Sequence, residues 1–165
     1  VTEERLQEEE RIMASWLENE EILTRKGQIA MPYAWSVGEA GSRFLIGLRD
    51  EKRILGNRCD RCGVVYVPPR KNCGVCFHEL GDDGWREVGP EGVVTACTIV
   101  RDESPVSPAK APFAYVIVKL DGADVGFVHL VRDDLEKLAV GVRVSARFRE
   151  AREGNILDID SFVIL

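Results

Sequence analysis

The feature that most restricts this chain is the spacing of four of its five cysteines. Cys59-x-x-Cys62 and Cys73-x-x-Cys76 are separated by ten residues. A C-x-x-C turn presents two thiolates from one backbone knuckle, and two such knuckles supply the closed tetrahedral set of soft ligands that zinc prefers. Gly63 follows the first pair and Gly74 lies inside the second; glycine permits the tight turns that aim backbone N–H groups at sulfur. Between them, Val64 to Arg70 reads as one ribbon strand closed by Pro68 and Pro69. The pattern predicts a structural metal on Cys59, Cys62, Cys73 and Cys76, and its role is to fold a segment too short to bury a core. Four thiolates leave no open position for water, which argues against a catalytic metal. Rubredoxin-like iron would use the same ligands, so the ligand set alone leaves iron open beside zinc. Nothing in the chain signals an electron-transfer partner, and zinc is the reading carried forward.

Close pairing of four cysteines, with one apart, favours metal over a secreted disulfide framework. At 165 residues, the chain has room for one ordinary domain, or for a small metal-stapled module beside a second domain. No run approaches the roughly 18 apolar residues of a membrane span. The acidic start, Val1–Glu10, lacks the basic and apolar regions of a signal peptide, and the expected location is the cytoplasm. A formal charge of -6 weighs against a general nucleic-acid binder. The charge is uneven, however. Residues 1–25 are strongly acidic, whereas residues 43–71 carry eight bases against three acids. That positive middle favours a small anionic ligand.

Three segments follow from pattern: an N-terminal helical segment (1–53), the metal ribbon (54–80) and a β domain (84–165). Residues 3–26 read as a helix, with Leu6, Met13, Trp16, Leu17 and Leu23 at roughly helical spacing and Gly27 as a stop. Its apolar face either covers the rest of the chain or docks on a partner subunit. Ser42 is a candidate cap for a second helix that buries Phe44, Leu45 and Leu48. After the loop Gly81–Gly84, strands are expected at Val93–Arg101, Phe113–Leu120, Asp124–Leu130, Val142–Arg149 and Ile156–Val163, all rich in Val, Ile and Phe. Asp121-Gly122 signals a tight hairpin, and Arg132–Leu138 suits a short helix. Five strands with a helix between the third and fourth is the order of an OB-fold barrel. The fold class expected is therefore α+β: N-terminal helices, a four-cysteine ribbon and a five-stranded OB-fold barrel.

No catalytic residue is expected. Cys97, inside the first barrel strand, reads as a small buried hydrophobe. His78 is surplus as a ligand and belongs at the surface; His129, between Val128 and Leu130, reads as a satisfied core or edge histidine. The chain shows no Gly-rich phosphate loop, no nucleophile elbow and no H-E-x-x-H. Trp85, Phe113, Tyr115, Phe127, Phe148 and Phe162 sit in or beside strands. They would suit stacking in a nucleic-acid groove, but residues 82–165 hold more acids than bases, and core packing is the expected role.

An N-terminal helical pair leads into Gly56-Asn57-Arg58-Cys59-x-x-Cys62-Gly63, then Pro68-Pro69-Arg70, the second C-x-x-C and a Gly-Val-Val strand. This arrangement resembles the rubredoxin-like zinc ribbon plus OB-fold family, long filed as a domain of unknown function and found beside thiolase-type enzymes. Gly74 departs from members that carry proline after the third cysteine. The resemblance implies a non-catalytic accessory subunit, in a hetero-oligomer with a thiolase-type catalytic subunit, that helps handle coenzyme A thioesters. It also implies partners such as hydroxymethylglutaryl-CoA synthase, aldolases of steroid side-chain degradation, or thiolases of aromatic degradation such as benzoylsuccinyl-CoA thiolase. Coenzyme A carries a 3'-phosphate and a diphosphate, and arginine forks match phosphate oxygens. Arg58, Arg61, Arg70 and Lys71, around the ribbon, are the residues expected to meet that nucleotide end. Two other readings stay beside this one: partner of a CoA-ester aldolase or lyase, and a stand-alone single-stranded nucleic-acid module.

Overall fold

A computed structural model describes residues 31–165 continuously and, before them, Glu4, Arg5, Gln7, Glu8, Arg11, Leu23, Thr24, Arg25 and Gly27. The chain divides into two compact units, Val1–Trp35 and Ser36–Leu165. In the first, Glu4, Arg5, Gln7, Glu8 and Arg11 are helical, and Glu8 pairs with Arg11 at 3.3 Å, one helical turn on. Leu23, Thr24 and Arg25 have no regular structure, so the expected helix does not extend to residue 26. Of its expected apolar face, Leu6, Met13, Trp16 and Leu17 lie outside the described residues.

The second unit opens with helix α1 (Gly38–Ile46), continued by a wider turn over Gly47–Glu51 that ends at Lys52 in the left-handed region. Ser42 is not its cap. The helix starts four residues earlier, and the Ser42 hydroxyl donates back to the Gly38 carbonyl at 2.7 Å. Phe44 and Leu48 are buried as expected.

Next comes a three-stranded antiparallel sheet of β1 (Leu55–Arg58), β2 (Val65–Tyr66) and β3 (Trp85–Glu87), with β1 central. Strand β2 holds only the first part of the expected ribbon strand, because Pro68 and Pro69 offer no N–H to a ladder.

Residues 91–164 form a closed barrel of β4 (Glu91–Val100), β5 (Phe113–Leu120), β6 (Gly126–Val131), β7 (Arg143–Phe148) and β8 (Ile159–Ile164), in the order β4-β5-β6-β8-β7. Strand β5 alternates buried and exposed residues along most of its length, as a strand with one face on a core must. Between β6 and β7, the expected helix shrinks to one 3-10 turn, Leu135–Lys137, after Asp134 enters the left-handed region. The last strand starts three residues late. There the buried Asp158 carboxylate accepts the amides of Glu153, Gly154 and Asn155, holding Ile156–Asp158 in a capped 3-10 turn. The β5–β6 connection is longer than the tight hairpin expected, because Asp124 is engaged elsewhere: its amide donates to the Val65 carbonyl (3.0 Å) and its carboxylate accepts the Val65 amide (2.8 Å).

That two-point contact ties ribbon to barrel, and one hydrophobic cluster continues it. Phe44, Leu48, Ile54, Val65 and Val67 pack in the same core as Val116, Val118, Phe127 and Phe162. Phe127 meets Phe44 edge-on at 6.5 Å and Phe162 at 6.3 Å. Cys97 is exposed, contrary to expectation. Strand β4 pairs with β7 only at Glu91–Val93, so among the described residues its outer half has no strand on that side. Among the described residues, no helix is long and apolar enough to cross a membrane.

Candidate metal centre and the adjoining cleft

Two knuckles are built by the same hydrogen bonds. In the first, the Cys59 amide donates to the Val64 carbonyl and the Gly63 amide to the Cys59 carbonyl, both at 2.9 Å. In the second, the Cys73 amide donates to His78 (2.8 Å) and the Phe77 amide to Cys73 (3.0 Å). The residue closing each turn is left-handed: Gly63 at φ +77°, Phe77 at φ +58°. Glycine takes that conformation freely, whereas a phenylalanine pays for it. Phe77 nonetheless projects 80% exposed, beside Val75 at 65%.

All four sulfurs lie within 4.8 Å of one another. Cys59 and Cys76 approach to 3.5 Å and Cys62 and Cys73 to 3.4 Å, too far for disulfides. A tetrahedral zinc with bonds of about 2.3 Å sets its sulfurs about 3.8 Å apart, so the residues fit the ion. Cys59 and Cys73 are buried, Cys76 is half-buried and Cys62 is exposed.

The electrostatics are those of a cation site. The Tyr66 hydroxyl, helped by the Cys76 and Val75 amides, outweighs burial and holds the Cys73 thiol down at about 5. The Val64 amide favours the Cys62 thiolate, but Cys73, desolvation and Cys59 push that thiol up to about 12. Four sulfurs this close cannot all ionise without a positive charge among them.

Each expected site residue can now be placed. The four cysteines form one cluster. The basic residues divide. Arg70 and Lys71 line a cleft of about 810 Å³ between α1 and the ribbon, together with Arg43 and Trp85. Arg58 turns back on the first knuckle, its Nε donating to the Gly63 carbonyl at 3.2 Å. Arg61 is exposed within that knuckle and does not line the cleft. In the cleft, Arg43 stacks over Trp85 (4.4 Å) and meets Asp82 (3.4 Å), and Lys71 meets Glu79 (3.6 Å). Arg70 rests over the Tyr66 ring at 5.3 Å and has no carboxylate partner among the described residues. It is thus the cation most available to an anion.

Sequence reasoning missed Arg43, Trp85 and Tyr66 as site residues. Arg43 appeared only as one of eight bases, Trp85 as a core aromatic beside a strand, and Tyr66 only within the ribbon strand. His78 stays outside the sulfur cluster, half-buried, with Nε2 3.2 Å from Asp60 of the first knuckle. His129 is a core residue, 4% exposed. Its Nε2 donates to the Ile156 carbonyl (3.1 Å), but its Nδ1 has no partner among the described residues.

The rubredoxin-like zinc ribbon domain of ChsH2 matches residues 48–80, and the C-terminal OB-fold domain of ChsH2 matches residues 85–149. Together they span more than half of the chain. A DUF35 domain-containing scaffold protein of Methanocaldococcus jannaschii is 26% identical over 106 residues, covering 64% of this chain and 74% of the relative. Among solved structures, a protein of unknown function from the DUF35 family of Sulfolobus solfataricus superposes with a TM-score of 0.54 at 23% identity, over 67% of this chain and 77% of that one. The Ltp2-ChsH2(DUF35) aldolase gives a TM-score of 0.56 at 16% identity, over 79% of this chain and 95% of that one. At these identities, the two structures establish likeness of fold.

Proposed function

Since the chain belongs to the DUF35 family, with the zinc ribbon and OB-fold of ChsH2 in that order, we propose that it is a zinc-holding, non-catalytic accessory subunit of an enzyme acting on coenzyme A thioesters, a thiolase first. Zinc on Cys59, Cys62, Cys73 and Cys76 would fix the two knuckles and, with all four positions taken by sulfur, supply structure alone. The observation that carries the reading is the cleft: Arg70 and Lys71 stand beside Arg43 and Trp85 at the edge of the ribbon. Guanidinium and ammonium groups there suit the phosphates of the nucleotide end. Arg58 and Arg61 sit at the first knuckle, outside the lining of the cleft.

A partner subunit would supply the chemistry and cover the knuckle tip, where Val75 and Phe77 stand exposed. An aromatic anchor of this kind is a common centre of protein interfaces. The relative called a scaffold protein and the likeness to the Ltp2-ChsH2(DUF35) aldolase both support an assembly role. The second also favours an alternative partner, an aldolase or lyase of CoA esters.

Affinity purification from the native host tests this directly: a stoichiometric complex with an identified acyl-CoA enzyme is expected, and its identity separates thiolase from lyase. A chain that remains partner-free would overturn both. In the complex, Arg70→Ala with Lys71→Ala should raise KM for the CoA thioester about tenfold or more with little change in kcat. An unchanged KM would remove the cleft from the reading.

A further inference from the structure

Tyr66 lies on β2, 3% exposed, with its hydroxyl turned into the sulfur cluster. The hydroxyl oxygen is 3.0 Å from the Gly74 amide and 3.2 Å from Cys73 Sγ. A backbone amide can only donate, so the oxygen accepts from Gly74 and its own proton is left for the sulfur. Two further donors reach the same sulfur, the Val75 and Cys76 amides at 3.4 and 3.5 Å. The ring is held in place by the Arg70 guanidinium over its face and by the pairing of Tyr66 with Asn57. A Cβ on Gly74 would stand 3.6 Å from that hydroxyl, an ordinary contact, and 3.3 Å from the tip of Arg70 at Nη1.

We propose that Tyr66 is a positioning residue for the metal: its hydroxyl donates to the Cys73 thiolate and fixes that ligand's direction. Zinc among four thiolates carries a net charge of about −2 in a partly buried site, and donors to sulfur spread that excess. Of the hydrogen bonds reaching the cluster, this is the one made by a side-chain hydroxyl, and it therefore depends on one replaceable atom. The proposal rests on a metal occupying the four sulfurs, and it assigns Tyr66 no part in chemistry on a substrate.

The test uses the full chain, loaded with zinc for chelator competition and with cobalt(II) for absorption. Tyr66→Phe keeps the ring and removes the donor. Its zinc affinity should fall about 10- to 100-fold, and the thiolate-to-cobalt charge-transfer band should move to lower energy as the sulfur becomes more electron-rich. Thermal unfolding of the metal-free variant should match that of the metal-free parent, which separates lost metal affinity from a mere packing role. Gly74→Pro removes the amide that orients the hydroxyl and should give a smaller effect of the same sign, and it decides the matter if Tyr66→Phe does not fold. Parent-like affinity and an unshifted band in the folded variants would overturn the proposal. Failure of the parent chain itself to bind zinc or cobalt would overturn it together with the metal reading, a different and recognisable result.

Discussion

Ribbon and barrel solve the same problem with different means. The barrel closes on a core of large apolar side chains, among them Phe113, Phe127, Phe162, Leu120 and Ile159, all fully buried. Around the cysteines, the buried residues are Cys59, Tyr66 and Cys73, with Val64, Cys76, Leu80 and Val125 packed against them. So small a cluster offsets little of the conformational entropy lost on ordering the loops, and the metal must make up the difference. One region is held by area removed from water, the other by bonds to one ion. They should accordingly fail under different insults.

The largest effect expected is from metal removal. A strong chelator should abolish amide-exchange protection at the two knuckles, residues 59–63 and 73–77, while β5 and β6 stay protected; structural zinc contributes on the order of 10 kcal/mol or more to such modules. Equal loss of protection in the barrel would break the comparison and show that the ribbon carries both. The converse insult is Phe127→Ala. It removes the ring that contacts Phe44, His129 and Phe162 and should cost about 3–5 kcal/mol in urea unfolding, with cobalt spectra unchanged in the folded fraction.

Acid should reach the barrel through His129. Burial lowers its pKa from the ordinary 6.5, outweighing the Ile156 carbonyl. The unfolded histidine therefore takes its proton first, so this contribution is complete above pH 6.5 and is lost as pH falls through the folded value. Urea midpoints of the parent and of His129→Phe, compared at pH 7.5 and 5.5, isolate it: the parent should lose more. A parallel decline would acquit His129.

The smallest effect has the opposite sign. Phe77→Gly relieves a left-handed phenylalanine and should raise stability by about 1 kcal/mol, yet weaken the complex with the catalytic subunit at least tenfold. A variant that is both more stable and fully competent in assembly would remove the tip from the interface.

The cysteine cluster was legible in the sequence because two short knuckles make all four ligands nearly local, and residue type with spacing determines the chemistry. The barrel order was legible because runs such as Phe113–Leu120 report burial directly. What escaped depended on contacts distant in sequence or on competition within a loop. Asp158 gathering three amides delays β8, and no run of apolar residues announces that. The exposure of Cys97 follows from where β7 begins, which β4 does not encode. The basic residues illustrate the limit best. Arg58 and Arg70 look equivalent beside the cysteines, but the turn of the first knuckle sends one back on Gly63 while the other faces Arg43 across a cleft. Charge can be counted along a chain; its side of the molecule cannot.

The paired bonds between Asp124 and Val65 have a mechanical meaning. One bond fixes a distance, whereas two at the same residue pair also fix an angle, and the shared core beneath them resists twisting. Gripped at the knuckle tip, the ribbon would act as a handle whose bearing the barrel must follow. Orientation, as well as affinity, would then be set at the point of attachment.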